Sequence, residues 1–139
     1  MLKQLSVWLP NKPGTLSKFI DKLINNHIEI RAITVAENED YGLILLLVNK
    51  PKELYTLLEE ADFPVSLTDV LAVKIKSDNN TANLKEISKI LGQNDINIEY
   101  LYSTLVKEES FIILRVDDNE KAKEILKQNG FLLEEREAI

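Results

Sequence analysis

Residues 41–48 read Tyr-Gly-Leu-Ile-Leu-Leu-Leu-Val, an almost unbroken apolar run between two polar turns. A run of this length and composition predicts a β-strand that is covered on both faces. The chain repeats the pattern 68 positions later, where residues 109–116 read Glu-Ser-Phe-Ile-Ile-Leu-Arg-Val. The coincident apolar pairs are Ile44 with Ile112, Leu46 with Leu114, and Val48 with Val116.

The same shift of 68 positions, applied without a gap, also aligns residues on both sides of this strand. These pairs are Leu16 with Leu84, Leu23 with Leu91, Asn26 with Asn94, Ile28 with Ile96, Ile30 with Ile98, Leu58 with Leu126 and Phe63 with Phe131. Similarity at one fixed spacing along the whole chain indicates an internal duplication.

Each copy carries the signals of six elements in the order strand, helix, strand, strand, helix, strand. In the first copy these are a strand at 4–9, a helix at 16–24, a strand at 28–36, a polar turn at 37–40, the strand at 41–48, a helix from Pro51 to Ala61 and a strand at 65–70. The order predicts an α+β fold of two ferredoxin-like (βαββαβ) units in tandem, each an antiparallel sheet with both helices on one face.

We place the two domains at residues 1–70 and 71–139. No glycine- or serine-rich linker separates them, so we expect the last strand of the first unit to run almost straight into the first strand of the second.

The strand at 41–48 offers apolar residues to both of its faces, and the helices of one unit cover only one of them. We expect Trp8 and Ile33 to point the same way on the uncovered face. An exposed apolar face of this kind usually meets another protein surface, so we predict that it is buried between the two units or in a homodimer.

The composition excludes several classes of function. Residues 1–70 carry 7 basic and 10 acidic side chains and residues 71–139 carry 10 and 13, so neither copy has the positive charge that nucleic-acid binding needs. The chain has no cysteine, which excludes disulfides, thiolate metal sites and cysteine nucleophiles. Its one histidine, His27, is predicted at a solvated helix end and receives no catalytic or metal role.

No long apolar run follows basic residues at the N-terminus. We therefore expect no signal peptide, no membrane association and a cytoplasmic protein. We also expect no cofactor and no metal, because no loop shows the ligand alternation of a calcium site and no pair of histidines is present.

The loop between the first strand and the first helix has the chemistry to bind an anion. Backbone N–H groups in the first turn of a helix lack an intrahelical partner, and the helix dipole favours a carboxylate there. An asparagine amide in such a loop can accept from an ammonium group, and a glycine lets a ligand approach the backbone. Pro-Gly is also an ordinary turn former, which is the simpler interpretation. The loop consists of Asn11, Lys12, Pro13, Gly14, Thr15 and Leu16.

This loop and the duplicated element order resemble the ACT domain, a small-molecule-binding regulatory module of amino-acid metabolism. The first loop of ACT domains usually reads Asp or Asn, any residue, Pro, Gly, and then an aliphatic-rich helix start. Five residues fit that pattern: Asn11, Pro13, Gly14, Leu16 and Phe19.

The second strand of ACT domains commonly opens with a glycine, an aliphatic residue, an asparagine and an isoleucine. Residues 95–98, Asp-Ile-Asn-Ile, match three of those positions, whereas residues 27–30, His-Ile-Glu-Ile, match only the aliphatic ones. The resemblance covers nearly the whole chain, twice.

In ACT domains that bind amino acids, two units pair side by side and the ligand lies between the loop of one and the second strand of the other. The resemblance therefore implies two unequal sites. The better site combines residues 11–16 with Asn97, where the helix start takes the carboxylate and the amides of Asn11 and Asn97 hold the ammonium. Tyr100 either lines the side-chain pocket of this site or forms a core or interface ladder with Tyr102.

The other site would combine Glu29 with the equivalent loop of the second copy. Glu29 would repel a nearby carboxylate by several kcal/mol at an effective dielectric constant of about 20, so we expect this site to be degenerate. The loop also has a structural interpretation, because asparagine is a common N-cap and Asn83 with Glu86 has capping-box spacing. Its residues are Asn79, Asn80, Thr81, Ala82, Asn83 and Leu84, with Thr81 and Ala82 where the family has Pro and Gly.

The resemblance implies a regulatory or sensor protein that binds a free amino acid, forms a homodimer, acts on a separate metabolic enzyme and has no catalysis of its own. The alternative is an interaction module that assembles with an enzyme or a transcription regulator without binding a ligand. An enzyme is disfavoured, because no acid–base pair, nucleophile or metal constellation stands out.

Overall fold

The structure, a computed structural model, describes residues 1–37, 41–75, 79–105 and 109–139. The predicted polar turn at 37–40 falls largely outside the described residues. Within them, six strands and four helices confirm the predicted α+β class. Their bounds are β1 Leu2–Pro10, α1 Thr15–Asn25, β2 Ile30–Glu37, β3 Tyr41–Val48, α2 Pro51–Glu60, β4 Val65–Ile75, α3 Asn80–Gln93, β5 Ile98–Ser103, β6 Ser110–Val116 and α4 Asn119–Gln128.

The chain divides into two compact units. The first unit comprises Lys3–Thr68 with Glu137–Ile139, and the second comprises Met1–Leu2 with Asp69–Arg136. Both units share β4, which runs unbroken over eleven residues. The expectation that one strand runs into the next without a linker is therefore confirmed.

In the first unit, both helices pack on the same face of the sheet. β3 lies between β1 and β2 and pairs antiparallel with each of them. Because strand side chains alternate between faces, every second residue of β1 and β3 points toward the helices. The buried cluster on that face contains Leu5, Val7, Leu9, Ile44, Leu46 and Val48 from the strands and Phe19, Leu23, Leu54 and Leu58 from the helices.

The opposite face of β3 is also covered. Leu45 and Leu47 point away from the helices and are only 8% and 2% exposed. β3 is thus the strand buried on both faces that its apolar run predicts.

Trp8 and Ile33 lie on opposite faces, so the prediction that they point the same way is wrong. Ile33 is opposite Leu46 on the helix side, whereas Trp8 is opposite Leu43 on the other side and is 37% exposed. β2 has a register shift between Ile30 and Ala32. A shift of one residue exchanges the faces of all the residues that follow it.

In the second unit, β6 lies between β4 and β5, and its core repeats that of the first unit. The final strand expected from the repeat is reduced to a single bridge between Val73 and Leu133. The carboxylate of Glu134 accepts hydrogen bonds from the backbone and guanidinium of Arg136.

The helix ends preserve the duplication in backbone conformation. His27 and Asp95 follow α1 and α3 with φ of 56° and 58°, and Asp62 and Gly130 follow α2 and α4 with φ of 60° and 85°. Each pair is separated by 68 positions. His27 is exposed at its helix end, in agreement with the sequence-based expectation.

Candidate functional site

The loop after β1 leads into a helix start that needs glycine. Gly14 is the N-cap residue of α1 and has a φ of 85°, in the left-handed region that only glycine adopts without strain. A Cβ atom added to Gly14 would meet nothing within 4 Å. The backbone angle therefore explains the glycine, and the space above it is open to a ligand.

Two backbone hydrogen bonds define the first turn of α1. Thr15 N–H donates to the Lys12 carbonyl at 3.3 Å, and Lys18 N–H donates to the Gly14 carbonyl at 3.1 Å. The N–H groups of Leu16 and Ser17 precede the first intrahelical bond and have no helix carbonyl to bind. No acidic residue lies in this turn. This end of α1 is therefore suited to an anion.

A small cavity of about 80 Å³ lies against this loop, on the side of β2 and β3. This volume is well below the roughly 300–1,000 Å³ of small-molecule sites. The first unit alone does not enclose an amino acid here, so a complete site would need a second wall. The residues that line the cavity are Leu9, Pro10, Asn11, Lys12, Thr15, Leu16, Val35, Gly42 and Ile44.

The equivalent loop of the second unit has a different shape, because α3 begins at Asn80 and α1 begins at Thr15. Counted by the repeat of 68, α3 starts three residues earlier than α1. Thr81 and Ala82 continue the helix, whereas Pro13 and Gly14 end the loop before it. In this unit the N-terminal turn replaces the open loop.

Asn83 lies inside α3, so the predicted capping box with Glu86 is wrong. The N-cap residue is Asn79, and its side chain makes no capping hydrogen bond. The Asn83 backbone N–H and side-chain amide both donate to the Asn79 carbonyl, at 3.1 and 3.0 Å.

Glu29, the residue proposed for the second site, forms an ion pair. Arg31 Nη1 lies 3.1 Å from Glu29 Oε2, and Arg31 Nε donates to the backbone oxygen of Ile139 at 2.7 Å. The guanidinium offsets part of the repulsion that Glu29 would exert on a carboxylate. Arg31 is not among the site residues predicted from the sequence, although its position two residues after Glu29 places both side chains on one face of a regular strand.

Asn97 immediately precedes β5, the second strand of the second unit, and Tyr100 lies within that strand. Asn97 is exposed, and its backbone N–H donates to Asp117 Oδ1 at 3.1 Å. The rings of Tyr100 and Tyr102 stack with centroids 6.3 Å apart. Burial, and to a lesser degree Tyr100, raise the pKa of Tyr102 above its usual range. The two tyrosines therefore stack on one face of β5, and the role of Tyr100 stays a prediction.

Each predicted site takes its loop from one unit and its strand residue from the other. Residues 11–16 and Glu29 belong to the first unit, and residues 79–84, Asn97 and Tyr100 belong to the second. Their combination into sites stays a prediction.

In the part of the chain that the structure describes, no three His, Asp or Glu side chains come together as a metal site would require. Of the described helices, none has the length and apolar character needed to cross a bilayer.

Two ferredoxin-like units, each with a loop or turn at the start of its first helix, define a class of small tandem α+β modules. A family model described as an ACT domain pair matches residues 1–138. The chain therefore belongs to the ACT family, and its two units are ACT domains. No match is found among curated proteins.

Solved structures with the same fold include protein BT0572 from Bacteroides thetaiotaomicron. The two chains are 30% identical with a TM-score of 0.85, and the match covers 96% of this chain and 91% of that one. The ligand-free regulatory subunit of aspartate kinase from Thermus thermophilus is 17% identical with a TM-score of 0.61, and the match covers 92% of each chain. At that identity the second likeness shows the fold alone.

Proposed function

We propose that this ACT domain pair is a regulatory protein that binds a free amino acid at the loop between β1 and α1, and that it catalyses no reaction. The observation that carries the proposal is the open start of α1. Gly14 holds the loop in a left-handed turn, the N–H groups of Leu16 and Ser17 lack helix acceptors, and a small cavity adjoins them.

In the proposed complex, the ligand carboxylate lies at the N-terminus of α1 and the ammonium group lies between the amides of Asn11 and Asn97. The cavity beside the loop holds only about 80 Å³, which supports a site whose second wall comes from another ACT domain. Tyr100 is then a candidate wall for the ligand side chain. Residues 79–84 with Glu29 form the degenerate counterpart, because Thr81 and Ala82 continue α3 there.

A homodimer is part of this proposal. Trp8 and Tyr41 share the face of the first unit that points away from its helices, and they are 37% and 51% exposed. Two exposed aromatic side chains on one sheet face are typical of a contact surface. We place the protein in the cytoplasm, acting on a separate metabolic enzyme, as its family role and its lack of cysteine suggest.

The second candidate function is assembly with an enzyme or transcription regulator without a ligand. The observation that favours it is the loop of the second unit, which has become part of α3. Copurification of a stoichiometric partner, together with no stabilisation by any amino acid, would support this candidate over the first.

A thermal-shift screen against the twenty amino acids tests the first proposal. A ligand at 100 times its Kd adds about 2.7 kcal/mol to the free energy of unfolding, which is a clear rise in Tm for a chain of this size. We expect one amino acid, or one chemical group of them, to raise Tm. A folded protein whose Tm responds to none of the twenty at millimolar concentration would contradict the proposal.

A further inference from the structure

A second and larger cavity lies beside α1 in the first unit, against the residues that precede β4. Its volume is about 390 Å³, within the range of small-molecule sites. One wall is aromatic, since the rings of Phe19 and Phe63 meet edge to face with centroids 6.2 Å apart. The rim carries Lys12, Lys18 and Lys22.

The charged residues that are described as lining this cavity are all lysines. No carboxylate is among its described lining residues, and none of the three lysines forms an ion pair within the described parts of the chain. Lys18 and Lys22 are four positions apart on α1, a spacing at which like charges destabilise a helix. The chain as a whole has a net charge of −6, so a hollow lined by cations alone runs against its general composition.

Lys22 is held at the cavity by the aromatic wall. Its Nζ lies 5.9 Å from the centroid of the Phe63 ring, within the distance of a cation–π interaction. The side chain is half-buried, whereas Lys12 and Lys18 are exposed. The ammonium group is therefore positioned before any ligand arrives.

The second unit contains the corresponding cavity, whose described lining residues include one lysine and one glutamate. Its volume is about 340 Å³ and Phe131 takes the place of Phe63. Glu86 stands where the first unit has Lys18, and the lysine that lines this cavity, Lys74, is paired with Glu109 at 3.0 Å. The fold therefore does not require the three lysines, and among the described lining residues of these two cavities the excess of positive charge is confined to the first unit.

We propose that the cavity lined by Lys12, Lys18, Lys22 and Phe63 binds a small oxyanion with at least two negative charges, of the phosphate-ester or polycarboxylate class. Binding brings an anion among three uncompensated cations and relieves their mutual repulsion. This cavity adjoins the proposed amino-acid site and shares Leu9, Pro10, Lys12 and Thr15 with it. It is distinguished by Lys18, Lys22 and Phe63, which line only the cavity beside α1.

Isothermal titration of the full chain with sodium pyrophosphate, and separately with citrate, tests the proposal at constant ionic strength set with NaCl. We expect saturable binding of at least one probe, with one molecule per chain. Binding of pyrophosphate alone identifies the phosphate class, binding of citrate alone identifies the carboxylate class, and binding of both shows selection by charge.

Lys18→Glu copies the glutamate that the second unit tolerates at the same position, so we expect it to fold. We expect it to raise Kd for the bound probe at least tenfold, as the loss of a charge-assisted contact implies. Lys89→Glu makes the same change in net charge on α3, outside both sets of lining residues, and should change Kd less than twofold. Equal weakening by the two variants, or no saturable binding of either probe, would overturn the proposal.

Discussion

Asn49 Oδ1 accepts a 2.9 Å hydrogen bond from the backbone N–H of Glu29, and the Glu29 carbonyl accepts one of 3.1 Å from the Asn49 N–H. The same ring of two bonds joins Asp117 to Asn97 in the second unit, at 3.1 and 3.2 Å. Each ring ties the end of a central strand to the start of the strand that carries a predicted site residue. The duplicated chain uses an amide in one copy and a carboxylate in the other for the same contact.

Replacement of Asn49 by alanine should remove one bond of this ring. We expect Asn49→Ala to lower the free energy of unfolding by about 1 kcal/mol, the usual net value of one hydrogen bond. Asp117→Asn is the matched control, because it places in the second unit the residue that the first unit has at the equivalent position. It should change the free energy of unfolding by less than about 0.5 kcal/mol. Urea unfolding measures the free energy of unfolding of both variants. Equal decreases would show that loss of the hydrogen bond in this ring is not the cause.

Gly14→Ala should destabilise the protein through its backbone alone. The φ of 85° costs a residue with a Cβ atom about 1–2 kcal/mol, and no steric clash adds to it. Gly92→Ala is the control, because Gly92 lies in α3 with open space around it and no positive φ. Alanine there should stabilise by up to about 1 kcal/mol. Thermal unfolding measures both variants. We expect Gly14→Ala to lower Tm and Gly92→Ala to raise it, and a lower Tm for both variants would contradict this explanation.

The double change Thr81→Pro with Ala82→Gly should rebuild the open loop in the second unit. Proline at 81 disfavours the helical conformation of Asn80, and glycine at 82 supplies the residue that adopts a positive φ in the first unit. Given the proposed function, we expect the titrated stoichiometry of the amino acid to rise from one to two per chain. A stoichiometry that stays at one in a folded variant would show that this loop does not limit the second site.

Glu135 links the end of the chain to α4 in a way that depends on pH. Hydrogen bonds from Lys127 and then from Lys123 lower the pKa of Glu135 to about 2. A carboxyl with a lowered folded-state pKa stabilises the protein above its unfolded pKa, near 4.5, and this contribution is lost as the pH falls from there toward 2.

Glu135→Gln should therefore be less stable than the wild type at pH 7 by a small amount and should lose less stability on acidification. Because the carboxylate is exposed, 1 M salt should reduce the difference between the two proteins. Thermal unfolding between pH 7 and pH 3 measures this effect. Identical pH profiles would contradict a role for the two lysine contacts.

The apolar periodicity was sufficient to predict most of the fold. β3 has the same bounds as the apolar run at 41–48, because a strand buried on both faces leaves a continuous signal in the sequence. The 68-residue repeat predicted the second unit for the same reason, since equivalent core positions keep equivalent side chains. The orientation of Ile33 was not predictable, because the register shift in β2 depends on pairing with β3 and not on local composition.

The candidate site was only partly predictable. The left-handed turn at Gly14 and the loss of the open loop at Thr81 and Ala82 follow from local backbone chemistry. The cationic cavity does not follow from local sequence, because Phe63 is far from Lys18 in the chain and the two residues line one cavity only through packing of the first unit. Whether the loop of one unit and the strand of another form a binding site depends on long-range geometry of the same kind.

Calorimetric titration of the wild type, Asn11→Ala and Asn79→Ala with the amino acid that raises Tm tests whether the loop between β1 and α1 binds the ligand. Asn79 is the counterpart of Asn11 in the second unit, so the two variants remove the same amide from equivalent positions. We expect one ligand per chain, a Kd raised at least tenfold by Asn11→Ala, and a change in Kd of less than twofold with Asn79→Ala. An unchanged Kd in a folded Asn11→Ala protein, or equal weakening by both variants, would contradict this expectation.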